Sequence, residues 1–497
     1  MNLASIIDPH PADRVAILSR GKKTTYGMLR DQVAGLRGGL VALGLQPGDR
    51  VAVVAANNWY FVASYLAVLG AGCVAVPVNP ASPLPEITRE LGAIGARAVF
   101  VGPMARGTLS GLDRRELPAL EHVIASQGGE APDALLVDDL IVAPPADVVD
   151  RAPDDLAVLI FTSGTAGAPK AAMLTHGNLL SNLEQCQAHP GRAQVPDDVT
   201  FAVLPFFHIF GLNVALGLTM ASGSTLLAVE RFDPQSALEA VVNHGVTVIS
   251  GAPTMWSAWA SLPDAPADAF AKVRLATSGA ARLAPETKRA FADRFSLELS
   301  EGYGLTEASP VVSSGHGLDA PTGSIGVPLP GLSVRIVDSD GQDALVGDAG
   351  EVWVKGPNVF VGYWNDPDAT RAAVTEDGWL RTGDIAVVDD HGFLYLVDRT
   401  KDLIIVSGFN VYPAEVEEII AGHPSVEQVA VVGVPHPHSG EAVKAFVVVA
   451  PGAAAEEDEI IGYCEAHLAR YKCPQKVMFV DELPQNAAGK VLRKLLR

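Results

Sequence analysis

Along the first two-thirds of this chain, short apolar runs alternate with longer amphipathic ones, and that alternation constrains its fold more than any other feature. RVAVVAA (50–56), CVAVPV (73–78) and RAVFVG (97–102) are separated by FVASYLAVLGA and LPEITRELGAIG. The rhythm continues through LAVLIFT (156–162), TFAVLP (200–205), STLLAV (224–229), VTVISG (246–251) and VRLATSG (273–279). Short apolar runs without polar alternation are strands buried on both faces, and their alternation with helices predicts mostly parallel sheets covered by helices. An α/β architecture follows. From about residue 331 the texture changes: LSVRIVD, GEVWVKG and GFLYLVD are short strands separated by Asp-Gly and Gly-Asp turns, which predicts an antiparallel, barrel-like β section. Beyond Asp398, PAEVEEIIAGH and EDEIIGYCEAHLARY read as helices, and VEQVAVVGVP and KAFVVVA as strands. The pattern predicts a large N-terminal domain over 1–400 and a small α+β domain over 401–497.

Composition narrows the function. With 48% hydrophobic residues among 497, the chain has ample side chain for large cores. Its 57 acidic and 36 basic side chains leave a formal charge of −21, which repels a polyanion and excludes a general affinity for nucleic acid. Residues 60–78 and 199–229 lack Asp, Glu, Lys and Arg, but Gly70 and Gly72 break the first, and Pro205, Gly211, Gly217 and Gly223 break the second. They read as helix, turn and buried strand, not as transmembrane segments. The start, MNLASIIDPHPADR, lacks the basic beginning and apolar core of a secretory signal. Cys73, Cys186, Cys464 and Cys473 form no CxxC pair, so neither a disulfide framework nor a zinc site is expected. A soluble cytoplasmic protein is the expectation.

The richest chemistry follows LAVLIFT. There Thr162, Ser163, Gly164, Thr165, Ala166, Gly167, Ala168, Pro169 and Lys170 succeed a buried strand, and a helical stretch begins near His176. Glycines let backbone N–H groups turn toward an anion, while hydroxyls and a lysine add donors, so the segment is a phosphate-holding loop. It is not a Walker A loop, because no Gly-Lys-Ser or Gly-Lys-Thr closes it.

This segment resembles the phosphate-loop signature of the adenylate-forming superfamily: acyl-CoA synthetases, luciferases and the adenylation domains of peptide synthetases. Thr162, Ser163, Gly164, Thr165, Gly167 and Lys170 match, whereas Ala166 and Ala171 replace a usual Thr and Gly. Further matches keep the family's order. Gly302, Tyr303, Gly304, Leu305, Thr306 and Glu307 resemble the adenine and magnesium segment. The resemblance implies that Tyr303 lies against adenine, Thr306 contacts phosphate and Glu307 ligates Mg2+; an aromatic face suits a base, and a hard carboxylate oxygen suits magnesium. Ser278, Gly279, Ala280 and Ala281 resemble the backbone segment beside the adenine. Thr382, Gly383 and Asp384 resemble the ribose motif, whose aspartate accepts from the sugar hydroxyls. The run from Asp398 to Asp402 resembles the hinge, which implies that Arg399 contacts ribose or phosphate and Lys401 is the pivot. Residues 484–490 resemble the C-terminal catalytic loop, with Lys490 as a cation that enters and leaves the site. The resemblance runs from about residue 10 to Lys490.

It implies an enzyme using ATP, Mg2+ and CoA. A carboxylate attacks the α-phosphate, giving acyl-AMP and pyrophosphate, and a thiol then displaces AMP. In relatives the small domain is mobile and rotates between these halves, presenting a pantetheine tunnel near the segment matching Ser407, Gly408 and Phe409. Lys490, Thr306 and Glu307 would be catalytic, with His208 beside the substrate carboxylate. An aspartate stands near the position of His208 in amino-acid-activating domains; a free α-amino group would lose that counter-ion here. Gly211, Leu212, Ala252, Gly302, Val327 and Pro328 are small or apolar, so a hydrophobic acid is expected, a medium- or long-chain fatty acid first and an aryl acid second. Between 356–364 and Thr382 the chain lacks the extension often found in fatty acyl-AMP ligases, which favours CoA over a separate acyl carrier protein. A catalytically silent nucleotide- or acyl-binding relative is the alternative of another class, and retention of Glu307, Asp384 and Lys490 argues against it.

Overall fold

The computed structural model describes residues 1–126, 134–162, 170–191, 193–280, 283, 285–338, 340–399, 404–411, 413–484 and 496, with backbone alone at 397–399, 410, 414 and 418. Among the described residues, two large sheets dominate the N-terminal part. One has eight strands in the order Gly362–Tyr363, Lys170–Thr175, Leu156–Thr162, Val74–Val78, Arg50–Val54, Ala98–Val101, His122–Ala125 and Leu135–Leu136. The other has nine, ordered Val327–Pro328, Val311–Ser314, Ser300–Gly304, Leu275–Ser278, Val248–Gly251, Val199–Ala202, Thr225–Ala228, Val15–Ser19 and Lys22–Thr25. Inner strands pair in parallel, as their unbroken apolar runs require, and antiparallel pairs occupy three of the four edges, Leu135–Leu136 pairing in parallel at the other.

The uncharged stretch at 60–78 is explained by where it packs. Asn58 caps the Trp59–Gly70 helix by accepting from the Phe61 N–H, and residues 60–70 are all buried. That helix contacts Val15–Ser19 of one sheet and both Arg50–Val54 and Val74–Val78 of the other, so both of its faces are covered. A helix between two sheets needs apolar residues all round. No helix among the described residues is long and apolar enough to cross a membrane.

The antiparallel section forms as the turns predict: Ser333–Val337, Gly350–Lys355, Leu380–Val388 and Leu394–Arg399 make a four-stranded sheet. The smaller C-terminal domain is α+β. Its sheet is built from Phe409–Val411, Ile404–Val406, Gly440–Val449 and Val426–His436, with Lys476–Phe479 parallel to Gly440–Val449. Its core joins Val416 and Ile420 of the Pro413–Ala421 helix, and Ile460 and Cys464 of Glu457–Glu465, to Val431, Val443 and Val447 of the strands.

Two local outcomes differ from the sequence pattern. Between the phosphate-loop segment and the His176–Ala188 helix, the chain first returns as the strand Lys170–Thr175, antiparallel to Leu156–Thr162. The helix expected over EDEIIGYCEAHLARY stops at Glu465, and a separate 3-10 turn forms at Arg470–Lys472. Both follow from tertiary partners: one from a sheet edge that accepts a strand, the other from contacts of Ala469 and Lys472 with the N-terminal domain.

Candidate active site

The site forms where the parallel strands end. Leu156–Thr162, Val199–Ala202, Leu275–Ser278 and Ser300–Gly304 each run into a segment singled out in the sequence, the usual place for ligands in open α/β sheets. Gly304 lets the chain turn tightly: a Cβ there would lie 2.2 Å from the Pro310 carbonyl oxygen. Just before it, Tyr303 is buried, and its hydroxyl donates to Asp384 Oδ2 at 2.6 Å. The adenine-type and ribose-type segments therefore meet, although they are 81 residues apart.

Asp384 is held by its neighbours. Thr382 Oγ1 donates to the Val352 carbonyl at 2.7 Å and accepts from the Asp384 N–H at 3.1 Å. The Gly383 N–H donates to Glu351 Oε1 at 2.9 Å, and the other oxygen of Glu351 accepts from Trp353 Nε1 at 2.9 Å.

On the opposite side, Tyr363 links two motifs. Its hydroxyl donates to Glu307 Oε1 at 2.7 Å, and its ring lies 5.3 Å from Lys170 Nζ. Lys170 is also 3.7 Å from Asp366 Oδ2. Pairing of Gly362–Tyr363 with the Lys170–Thr175 strand fixes this arrangement.

His208 follows the Val199–Ala202 strand. Its Nδ1 accepts from the Phe210 N–H at 3.3 Å, and burial pushes the imidazole pKa down to about 4. At neutral pH the ring is uncharged, so with Nδ1 accepting, the proton resides on Nε2 as a donor. A π-helical segment, Phe210–Gly217, starts next to it, pinned where Asn213 Nδ2 donates to the carbonyls of Leu179 and Ser309.

These groups surround two adjoining cavities. The larger, about 330 Å3, is lined by Thr162, Lys170, Thr306, Glu307, Asp384 and His208, and reaches the C-terminal domain at Phe409 and Tyr471. The smaller, about 80 Å3, lies among Phe210, Gly279, Ala280, Gly302 and Tyr303. His208, Gly304 and Thr306 border both. Phe210 walls the smaller one closely: a Cβ on Gly279 would stand 3.0 Å from its ring.

The C-terminal domain enters through a hairpin, Ile404–Val406 with Phe409–Val411. At its tip Ser407 and Gly408 take left-handed φ values of +52° and +84°. A Cβ on Gly408 would meet those of Ala252 and Ala280 at 3.3 and 3.4 Å. The Phe409 ring stacks on Tyr471 at 4.4 Å and presents its edge to His208 at 6.3 Å.

Most expected site residues that are described converge here. Ser163, Gly164, Thr165, Gly167, Ala281, Lys401 and Lys490 lie outside the described residues, and Arg399 is described as backbone only, in register with Asp384. Of the small and apolar positions expected around the acyl group, Gly302 lines the smaller cavity and Ala252 touches the hairpin tip. Leu212 is instead buried in the core, and Gly211 allows close passage over the Pro205 carbonyl. Sequence reasoning missed Glu351, Tyr363, Tyr471 and Lys472. Their only signal is an aromatic or charged residue near a motif, which is common on any surface.

Comparison with known proteins accords with this geometry. Residues 6–364 match the family model described as AMP-binding enzyme, and residues 415–490 match that described as AMP-binding enzyme C-terminal domain. The chain is 38% identical to a Mycobacterium tuberculosis protein named 3-[(3aS,4S,7aS)-7a-methyl-1,5-dioxo-octahydro-1H-inden-4-yl]propanoyl:CoA ligase, over 98% of this chain and 96% of that one. It is 36% identical to a long-chain-fatty-acid–CoA ligase of Salmonella typhimurium, over 98% and 92% respectively. The amide bond synthetase McbA from Marinactinospora thermotolerans superposes with a TM-score of 0.87 at 31% identity, covering 100% of this chain and 99% of that one. With both family models matched in order and the motif residues gathered around one crevice, the chain belongs to the AMP-binding enzymes of the adenylate-forming superfamily.

Proposed function

We propose that this protein is an AMP-forming acid–thiol ligase that activates a hydrophobic carboxylic acid as acyl-AMP and transfers the acyl group to CoA. The observation that carries the reading is the cavity shared by Thr306, Glu307, Asp384 and His208, with a C-terminal hairpin at its mouth. A carboxylate is already a nucleophile, so the site needs positioning and fixed positive charge rather than a general base. The neutral His208 suits that task, because its Nε2–H can hold a substrate carboxylate oxygen without forming an ion pair. Asp384 would accept from the ribose, next to Tyr303.

The donor set fits magnesium, which keeps several waters and takes one or two carboxylates together with phosphate oxygens. Glu307 lines the cavity, and Tyr363 orients its carboxylate. Bound there with ATP, Mg2+ would neutralise phosphate charge. Lys490 is assigned as the cation of the first half, on a C-terminal domain that re-orients about Lys401 for the second.

For the acid, Phe210 beside the site and the small residues Gly302 and Ala252 favour a hydrophobic acid, a medium- or long-chain fatty acid first and an aryl acid second. A ring-bearing propanoyl acid is what the Mycobacterium relative's name describes, and a long-chain fatty acid is what the Salmonella relative's name describes. The test is AMP formation across fatty, aryl and dicarboxylic acids, each with and without CoA. CoA-dependent turnover highest with fatty acids, or next with aryl acids, supports the proposal. A preference for dicarboxylic acids would overturn the hydrophobic assignment, and pyrophosphate release without CoA turnover would point to a carrier protein as acceptor.

A further inference from the structure

A buried ammonium joins the two domains at a place no motif covers. Lys472, on the Arg470–Lys472 turn, is buried, and its Nζ donates to Glu86 Oε1 and to Glu415 Oε1, each at 2.9 Å. Glu86 belongs to the Leu84–Ile94 helix of the N-terminal domain, and Glu415 to the Pro413–Ala421 helix of the C-terminal domain. The second oxygen of Glu86 accepts from the Ala469 N–H at 2.8 Å, so one carboxylate grips both ends of the turn. The second oxygen of Glu415, Oε2, is buried without a hydrogen-bond partner among the described residues. One ammonium thus serves two buried carboxylates. Such a clasp holds while closed, and loses most when one member is removed.

Its position ties it to the site. Tyr471, the neighbour of Lys472, carries the Phe409 ring, which in turn faces His208 and Phe207. Seating the turn on the Leu84–Ile94 helix therefore fixes the hairpin tip between Ala252 and Ala280. We propose that Lys472 is a positioning residue for the thiol-consuming half of the reaction: clasped by Glu86 and Glu415, it holds the C-terminal domain with the 407–409 hairpin in the site. This rests on the two-step reading above. Acyl-AMP formation is assigned to the other orientation, with Lys490 in the site, and does not need the clasp.

The experiment measures both halves separately in the full-length Lys472→Met and Glu86→Gln variants. Acyl-AMP formation is trapped as hydroxamate with hydroxylamine, and thioester formation is followed from supplied acyl-AMP and CoA. The expected result for Lys472→Met is a loss of at least about tenfold in the thioester half with less than about threefold change in hydroxamate formation, as removal of one partner from a buried pair predicts. Glu86→Gln, altered on the opposite domain, should show the same selectivity with smaller amplitude, and the double variant should be no worse than Lys472→Met. Equal loss in both halves, or an unchanged thioester half, overturns the proposal. Should Lys472→Met not fold, Glu86→Gln decides by the same criteria. If the unaltered protein forms neither hydroxamate nor pyrophosphate with any acid, the functional reading falls first, and that outcome is distinct from a wild type active in both halves.

Discussion

Tyr363 bears no charge, yet its hydroxyl on Glu307 Oε1 sets how that carboxylate faces the cavity. Groups that orient a metal-binding carboxylate typically contribute about 10- to 100-fold to metal affinity. Tyr363→Phe should therefore raise the Mg2+ concentration needed for half-maximal acyl-AMP formation by about tenfold or more, leaving the thermal midpoint nearly unchanged. A Mg2+ titration with ATP and a saturating acid checks this; an unchanged half-maximal Mg2+ concentration would show that the Tyr363 hydroxyl does not act on the metal site. That chemistry is partly legible in the sequence. Glu307 and Asp384 stand in recognisable order, whereas Tyr363 and Glu351 do not, because an orienting hydrogen bond leaves no residue pattern of its own.

Strands were the easiest elements to read, since burial on both faces writes an unbroken apolar run such as LAVLIFT, observed as Leu156–Thr162. The return strand Lys170–Thr175 was not legible: a strand made by a sheet edge depends on the edge being present. The hairpin at 404–411 shows the same division. Ser407-Gly408 suits a tight turn, but its insertion beside Ala280 needs the other domain. Gly408→Ala adds a methyl group at a left-handed φ of +84° and against two packed methyl groups, a strain of about 1–2 kcal/mol. The expected outcome is thioester formation slowed by about tenfold with hydroxamate formation preserved, since that strain converts to roughly one decade in rate. Pre-steady-state capture of acyl-AMP by CoA measures it, and a loss confined to hydroxamate formation would contradict the assignment of this hairpin.

Across the whole molecule, the domain interface carries a protonation signature. Glu90, one turn beyond Glu86, is buried, and burial first, then the nearby Glu86, push its carboxyl up to about 8 from the ordinary 4.5. Glu415 adds to the rise, while Lys472 and Arg89 oppose it, and Tyr471 lies in the same cluster. The native protein therefore binds a proton that the unfolded chain releases above about pH 4.5. The stabilising contribution is whole below that pH, declines as pH rises, and is gone above about 8. The unaltered protein should lose up to about 1.4 kcal/mol per pH unit through this group, and Glu90→Gln, which has no ionisable group there, should flatten that dependence. Denaturant unfolding between pH 5 and 9 makes the comparison; parallel curves for the two proteins would exclude Glu90 as the source.

The sequence alone determined the covered parallel sheets, the antiparallel section, the α+β C-terminal domain and the order of the motifs. Each is written in neighbouring residues, as hydrophobic period, turn chemistry or a short run of donors, and so survives reading one window at a time. Folding alone brings Tyr303 to Asp384 across 81 residues, Glu307 to Tyr363 across 56, and Glu86 to Lys472 across 386. Periodicity says which face of an element is buried but carries no information on which distant face covers it. That choice is made by packing of whole sheets and domains, where the fit of many side chains is settled together.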